Sequence, residues 1–104
     1  MLEHSGYRIL RRNFRARGGE IDLVAEDGGT LAIVEVRYRA GGRFGGGADS
    51  ITAGKQRRIV RAARVLLAAE PALARLPARF DVIEVSGPAG TLSCRLIRDA
   101  FRLE

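Results

Sequence analysis

Three carboxylates lie close together in the chain, Glu20 and Asp22 in the run GEIDLVA and Glu35 in VEVRYR. Side chains alternate along a strand, so Glu20 and Asp22 share one face of a first strand. Glu35 and Arg37 share one face of a second. Ile21, Leu23, Val34 and Val36 take the opposite faces. The segment Glu26-Asp27-Gly28-Gly29 is a turn signal that joins the two strands as a hairpin. A two-residue turn at Asp27-Gly28 sets Glu20 opposite Glu35. A four-residue loop, Asp27 to Thr30, sets Asp22 opposite Glu35. Either register predicts three neighbouring acids on one side of the sheet. Like charges facing each other across a strand pair destabilise it. A divalent cation relieves that repulsion, and oxygen ligands with open positions suit Mg²⁺ or Mn²⁺. The competing reading is that the acids pair with arginines on a solvated face.

Basic side chains surround these acids in sequence. Lys55, Arg57, Arg58, Arg61 and Arg64 form a run without an acid. On a helix, Arg57, Arg61 and Arg64 fall on one arc. Lys55 and Gln56 fall nearer the apolar side at the helix start, where they can face the sheet. A second cluster is Arg8, Arg11, Arg12, Arg15 and Arg17. The whole chain has 18 Lys and Arg against 12 Asp and Glu, a net charge of +6. Small proteins this basic tend to meet polyanions. Basic patches flanking an acidic metal cluster fit a phosphodiester substrate, because they offset its backbone charge. Tyr7, Phe14, Tyr38 and Phe44 are available to stack on bases or to pack in the core. Asp81 and Glu84 read as exposed or arginine-paired acids, His4 as a surface residue and Cys94 as a core residue.

The elements that must position these groups follow from pattern. The chain has 104 residues, which suits one domain, 1–104. No apolar run is long enough to span a bilayer, so no membrane partner is expected. The start, MLEHSGYRIL, lacks the apolar stretch of a signal peptide. One cysteine and one histidine exclude an internal disulfide framework and a Cys/His zinc site within the chain, and point to the cytoplasm. Strands are expected over Gly6–Arg15, Gly19–Ala25 and Leu31–Arg39. The glycine-rich segment 40–49 is expected to be a flexible loop. Thr52 to Glu70 reads as a helix capped by Ser50 or Thr52, with Ile59, Ala62, Ala63 and Leu66 as its apolar stripe. Phe80–Val85 and Leu92–Ile97 complete a mixed α/β sheet of about five strands. Its crossover helix permits a parallel neighbour.

The runs GYRILRRNFRARGGEIDLVAEDGGTLAIVEVRYR, RFGGGADSITAGKQRRIVRAAR and RFDVIEV, with a terminal DAF, resemble the YraN family of small bacterial proteins, which are endonuclease-like. That family is similar in turn to the restriction-endonuclease-like superfamily, which includes archaeal Holliday-junction resolvases and carries the PD-(D/E)xK signature. Asp22 falls at the signature's Asp, Glu35 at its acidic residue and Arg37 at its Lys. Glu20 is an additional carboxylate nearby, and Gln56 falls at a polar position on the following helix. The resemblance implies a restriction-endonuclease-like core with a short or truncated N-terminal helix, where Glu3 is the candidate for a further acid. It implies a metal-dependent nuclease acting on DNA, branched or single-stranded. Asp22 and Glu35 would hold Mg²⁺ or Mn²⁺ with the Val36 carbonyl. Arg37 would steady charge on the phosphate, though a guanidinium cannot serve as a base. Lys55 would stand in for the missing amine. The arginines at 8, 11, 12, 15, 17, 57, 61 and 64 would hold the nucleic-acid backbone. A homodimer would suit junction cutting. The rival readings are a catalytically inactive nucleic-acid-binding protein with this fold, and a protein-interaction module whose acids pair with arginine.

Overall fold

Tight glycine turns and β-forming residues build a three-strand meander first. The structure, a computed structural model, describes residues 2–39, 51–87 and 93–101. The glycine-rich segment 40–49 and Phe44 lie outside the described residues, as does the Glu3 side chain. After a single helical turn at Glu3–Ser5 come β1 (Arg8–Ala16), β2 (Gly19–Asp27) and β3 (Thr30–Arg39). They are followed by α1 (Ala53–Ala69), the one-turn α2 (Pro71–Ala74), β4 (Ala78–Ser86) and β5 (Ser93–Phe101). The five strands form one sheet in chain order. Only β3 and β4 pair in parallel, and α1 supplies the long connection that a parallel pair requires. Two elements exceed expectation. Pro71 starts α2, since proline is suited to a first helical position, and β5 runs on to Phe101 rather than ending at Ile97.

The β2–β3 turn is closed by Gly28 and Gly29, with φ of 55° and 92°, the left-handed values that two-residue hairpin turns need. Asp27 pairs with Thr30 and Leu23 with Val34. Continued one step, this register faces Asp22 to Glu35. It is the register of the longer predicted loop, reached through a tighter turn.

The helix lies on one face of the sheet. Its N-cap is Thr52, whose hydroxyl accepts the Lys55 N–H at 3.1 Å. Ile59, Val60, Ala62, Ala63 and Leu66 pack against Ile21, Val24, Leu31, Ile33, Phe80 and Val82. A Cβ on Gly19 would sit 1.9 Å from the Arg58 carbonyl oxygen. Glycine at 19 therefore lets the start of β2 touch the helix backbone. The other face carries Tyr7, Ala25, Ala32, Val34, Ile83 and Val85, with Leu2 folded over them.

Alternation fails at one place, and that place matters. Ile21 and Leu23 were expected on one face. Ile21, paired with Phe14, packs under the helix, whereas Leu23, paired with Arg12, lies on the opposite face. Both strands thus switch sides between these pairs, where Asn13 and Asp22 stand. Asn13 has φ of 53°, a left-handed value that few non-glycine residues adopt. The local twist turns the start of β2, and Glu20 with it, away from simple alternation.

Asp81 and Glu84, read as exposed or arginine-paired, are arginine-paired, and both are buried rather than exposed. Asp81 sits among Tyr7, Arg79 and the Asp99 backbone. Glu84 is wholly buried, and its strand neighbours in register are Arg37 and Arg95. Cys94 is exposed rather than in the core, because β5 is an edge strand whose first residues face solvent. His4 is exposed as expected. Among the described residues no helix is long and apolar enough to cross a membrane.

Candidate metal and phosphate site

The twist at Asp22 leaves β2 and β3 unpaired beyond Leu23–Val34, and a side chain takes over where the ladder stops. Asp22 Oδ2 accepts the Val36 backbone N–H at 2.8 Å. The carboxylate therefore lies between the two strands, beside Glu35, whose pKa it helps to raise. Glu35 is on the helix side and only 5% exposed.

Lys55, in the first turn of α1, reaches down onto it. Its Nζ is 2.5 Å from Glu35 Oε2, so this buried oxygen has an ammonium directly against it. Burial pushes the Glu35 carboxyl up from 4.5 to about 7, the Asp22 carboxylate adds to the rise, and Lys55 opposes it. At neutral pH the group is poised between its two protonation states.

Glu35 and Lys55 open onto a depression of about 550 Å³ lined also by Arg15, Ala16, Gly19, Glu20 and Arg58. A larger apolar cavity of about 570 Å³, lined by Ile33, Val60, Leu67, Phe80 and Phe101 among others, contains neither Asp22 nor Glu35.

The predicted site residues divide as follows. Asp22, Glu35 and Lys55 come together, and the Val36 backbone joins them through its N–H. Glu20 does not join as a third neighbouring carboxylate. It lines the same depression but is mostly solvent-exposed and pairs with Arg15 at 3.4 Å. Among the described residues no three His, Cys, Asp or Glu side chains gather at one point. Arg37 is half-buried two residues beyond Glu35, in register with Glu84, and has no ion pair among the described residues. The Gln56 side chain is turned to its own helix start, donating to the Ile51 carbonyl at 3.1 Å.

The N-terminal arginines do not form one patch, because the twist and the bulge between Ile9 and Arg11 spread them. Arg8 pairs with Glu26 and Arg11 with Glu70. Arg15 lines the Glu35 depression, whereas Arg12 lines a separate one on the other face. Arg17 is exposed in the β1–β2 turn, where Gly18 lies against the Arg61 side chain. Arg57, Arg61 and Arg64 are all exposed on α1. The basic rim of the depression is thus Arg15 and Arg58. Arg58 was missed by motif matching, although it stands one turn after Lys55 and the helix period places the two on one arc.

The donor set fits a hard divalent cation. It offers two neighbouring carboxylates, hard oxygen donors, of which Glu35 is buried and borders a depression open to solvent. The alternative of arginine-paired acids does not describe this pair, since neither Asp22 nor Glu35 has an arginine partner among the described residues.

Comparison with known proteins places this arrangement in a family. A UPF0102 protein of Xanthomonas campestris pv. campestris is 55% identical over 103 residues, covering 99% of this chain and 83% of that protein. One from Symbiobacterium thermophilum is 54% identical over 96% of this chain and 85% of its own length. One from Nitrosococcus oceani is 44% identical over 99% and 83%. The profile of the uncharacterised protein family UPF0102 matches residues 1–85, which include β1 to β3, α1 and most of β4. The chain belongs to the UPF0102 family.

Proposed function

We propose that this protein is a metal-dependent hydrolase of phosphodiester bonds in DNA, of the YraN-like, PD-(D/E)xK type, acting in the cytoplasm. The observation that carries the reading is the buried Glu35 oxygen beside Asp22 and Lys55, at the floor of a depression rimmed by Arg15 and Arg58. Asp22 and Glu35 would hold Mg²⁺ or Mn²⁺ with the Val36 carbonyl. Bound there, the ion would lower the pKa of a water and stabilise charge on the phosphate.

The chain's own residues do the rest. Asp22 is fixed by the Val36 N–H, so one carboxylate oxygen remains to face the site. Glu35 must be ionised to bind a cation, and its raised pKa makes binding favour pH above about 7. Lys55 holds a positive charge against Glu35 and would stand in for the amine that Arg37 replaces in the signature. Arg15 and Arg58 would bind the nonbridging oxygens of the scissile phosphate or its neighbours. Arg57 and Arg61 extend the positive surface along the strand.

A panel of branched, single-stranded and duplex DNA incubated with Mg²⁺ or Mn²⁺ tests the reading. Cleavage by the wild type, lost in Asp22→Asn and in Glu35→Gln, is the expected result. Full activity in both variants would reject the assignment. A second reading, a nucleic-acid-binding protein that does not cut, draws on the Lys55 contact, which balances Glu35 without any metal ion. It predicts salt-dependent DNA binding with no thermal stabilisation by Mn²⁺.

A further inference from the structure

We propose that the depression on the sheet face opposite α1 receives an unpaired nucleotide of the DNA strand, its base stacked on Tyr38. This deepens the reading above and rests on it for the placement of the scissile phosphate near Asp22. The depression, about 350 Å³, is lined by Arg12, Asn13, Asp22, Leu23, Val36 and Tyr38. Asp22 is therefore shared. It reaches Glu35 and also borders this second depression.

Three features there suit a nucleotide. Tyr38 is 76% exposed, one of two large hydrophobic side chains left in water among the described residues. It sits on the same side of β3 as Val36 and ~7 Å along the strand from the N–H that Asp22 accepts. Arg12 has no ion-pair partner among the described residues and can meet a phosphate. Asn13, held at φ of 53°, adds amide donors and an acceptor. An exposed aromatic face with a neighbouring guanidinium is the pattern by which proteins hold single strands, because every base has a face to stack. A base inside a duplex is already stacked on both sides and cannot offer that face without being flipped out. The substrate class is accordingly DNA with unpaired nucleotides at the cut, such as a flap, a branch or a single strand.

The test uses the full chain in metal-free buffer with an oligonucleotide carrying 2-aminopurine, once as a single strand and once in a duplex. Wild type should bind the single strand more tightly and quench its fluorescence. Tyr38→Ala should weaken single-strand binding roughly 5- to 100-fold and abolish the quench, with a much smaller effect on the duplex. Tyr38→Phe should restore the quench. Arg12→Ala should weaken both DNAs and reduce the salt dependence. Tyr38 is exposed, so a melting curve should show Tyr38→Ala folded. Unchanged affinity and quench in Tyr38→Ala, or no binding by the wild type, would overturn the proposal. A parallel Mg²⁺ cleavage assay separates the two claims. Tyr38-dependent binding without cleavage would remove the nuclease reading and keep the stacking site. Cleavage with binding indifferent to Tyr38 would do the reverse.

Discussion

Asp81 and Glu35 are both buried carboxylates, on opposite faces of one sheet, and their surroundings differ. Asp81 accepts from the Tyr7 hydroxyl at 2.5 Å, from Arg79 at 2.8 and 3.0 Å and from the Asp99 N–H at 2.8 Å. Arg79 also bonds Asp27 at 2.8 Å, which holds that carboxyl below its ordinary range. Tyr7 is pushed upward, by burial first and then by its bond to Asp81. Glu35 instead has a second carboxylate beside it and a single lysine to balance the two. Burial alone therefore does not mark a site. A buried acid whose charge is met by arginine and several hydrogen bonds is structural, while one set against another acid, with a single lysine for the two, has room for a cation.

The largest expected effect lies on the Asp81 side. Arg79→Met would leave Asp81 buried without its charge partner and should lower stability by about 3–5 kcal/mol, read as a lower urea midpoint. Next, Gly19→Ala drives a methyl into the Arg58 carbonyl and should cost about 1–3 kcal/mol. It should also reduce cleavage, because β2 would be forced off the helix that carries Lys55.

The third effect has the opposite sign. Glu35 holds its proton more tightly when folded, so its ionisation works against the fold. Its favourable contribution is complete below about 4.5 and is lost as pH rises through about 7. In metal-free buffer at pH 8, Glu35→Gln should therefore be more stable than wild type, by on the order of 2 kcal/mol. At pH 4.5 that gain should vanish. Thermal melts at the two pH values check it, and destabilisation at pH 8 would count against the comparison. The smallest effect is at Glu20. Glu20→Gln removes only an exposed pair with Arg15, so stability should change by less than ~1 kcal/mol.

Much of this arrangement was legible in the chain. Alternation and the glycine turn narrowed the partner of Glu35 to Glu20 or Asp22, and the helix period let Lys55 face the sheet; the turn geometry itself decided for Asp22. The Glu20 error has a local cause. Strand alternation assumes ordinary φ, and a left-handed Asn13 reverses the faces on both sides of it. An asparagine within a run of β-formers was the available sign. The burial of Asp81 and Glu84 was hidden because composition treats acids as surface residues. Of their partners, Tyr7 is remote in sequence and Arg95 belongs to the neighbouring strand, while Arg79 stands two residues before Asp81 on β4 itself. The N-terminal arginine cluster dissolved for the same reason as Glu20, with Arg12 and Arg15 ending beside different depressions.

Titration calorimetry with Mn²⁺ tests the central claim most directly. The account predicts binding by the wild type at pH 8, weakening as pH falls below about 7, and loss of binding in Asp22→Asn and in Glu35→Gln. No Mn²⁺ binding by the wild type, or equal binding by all three proteins, would contradict it.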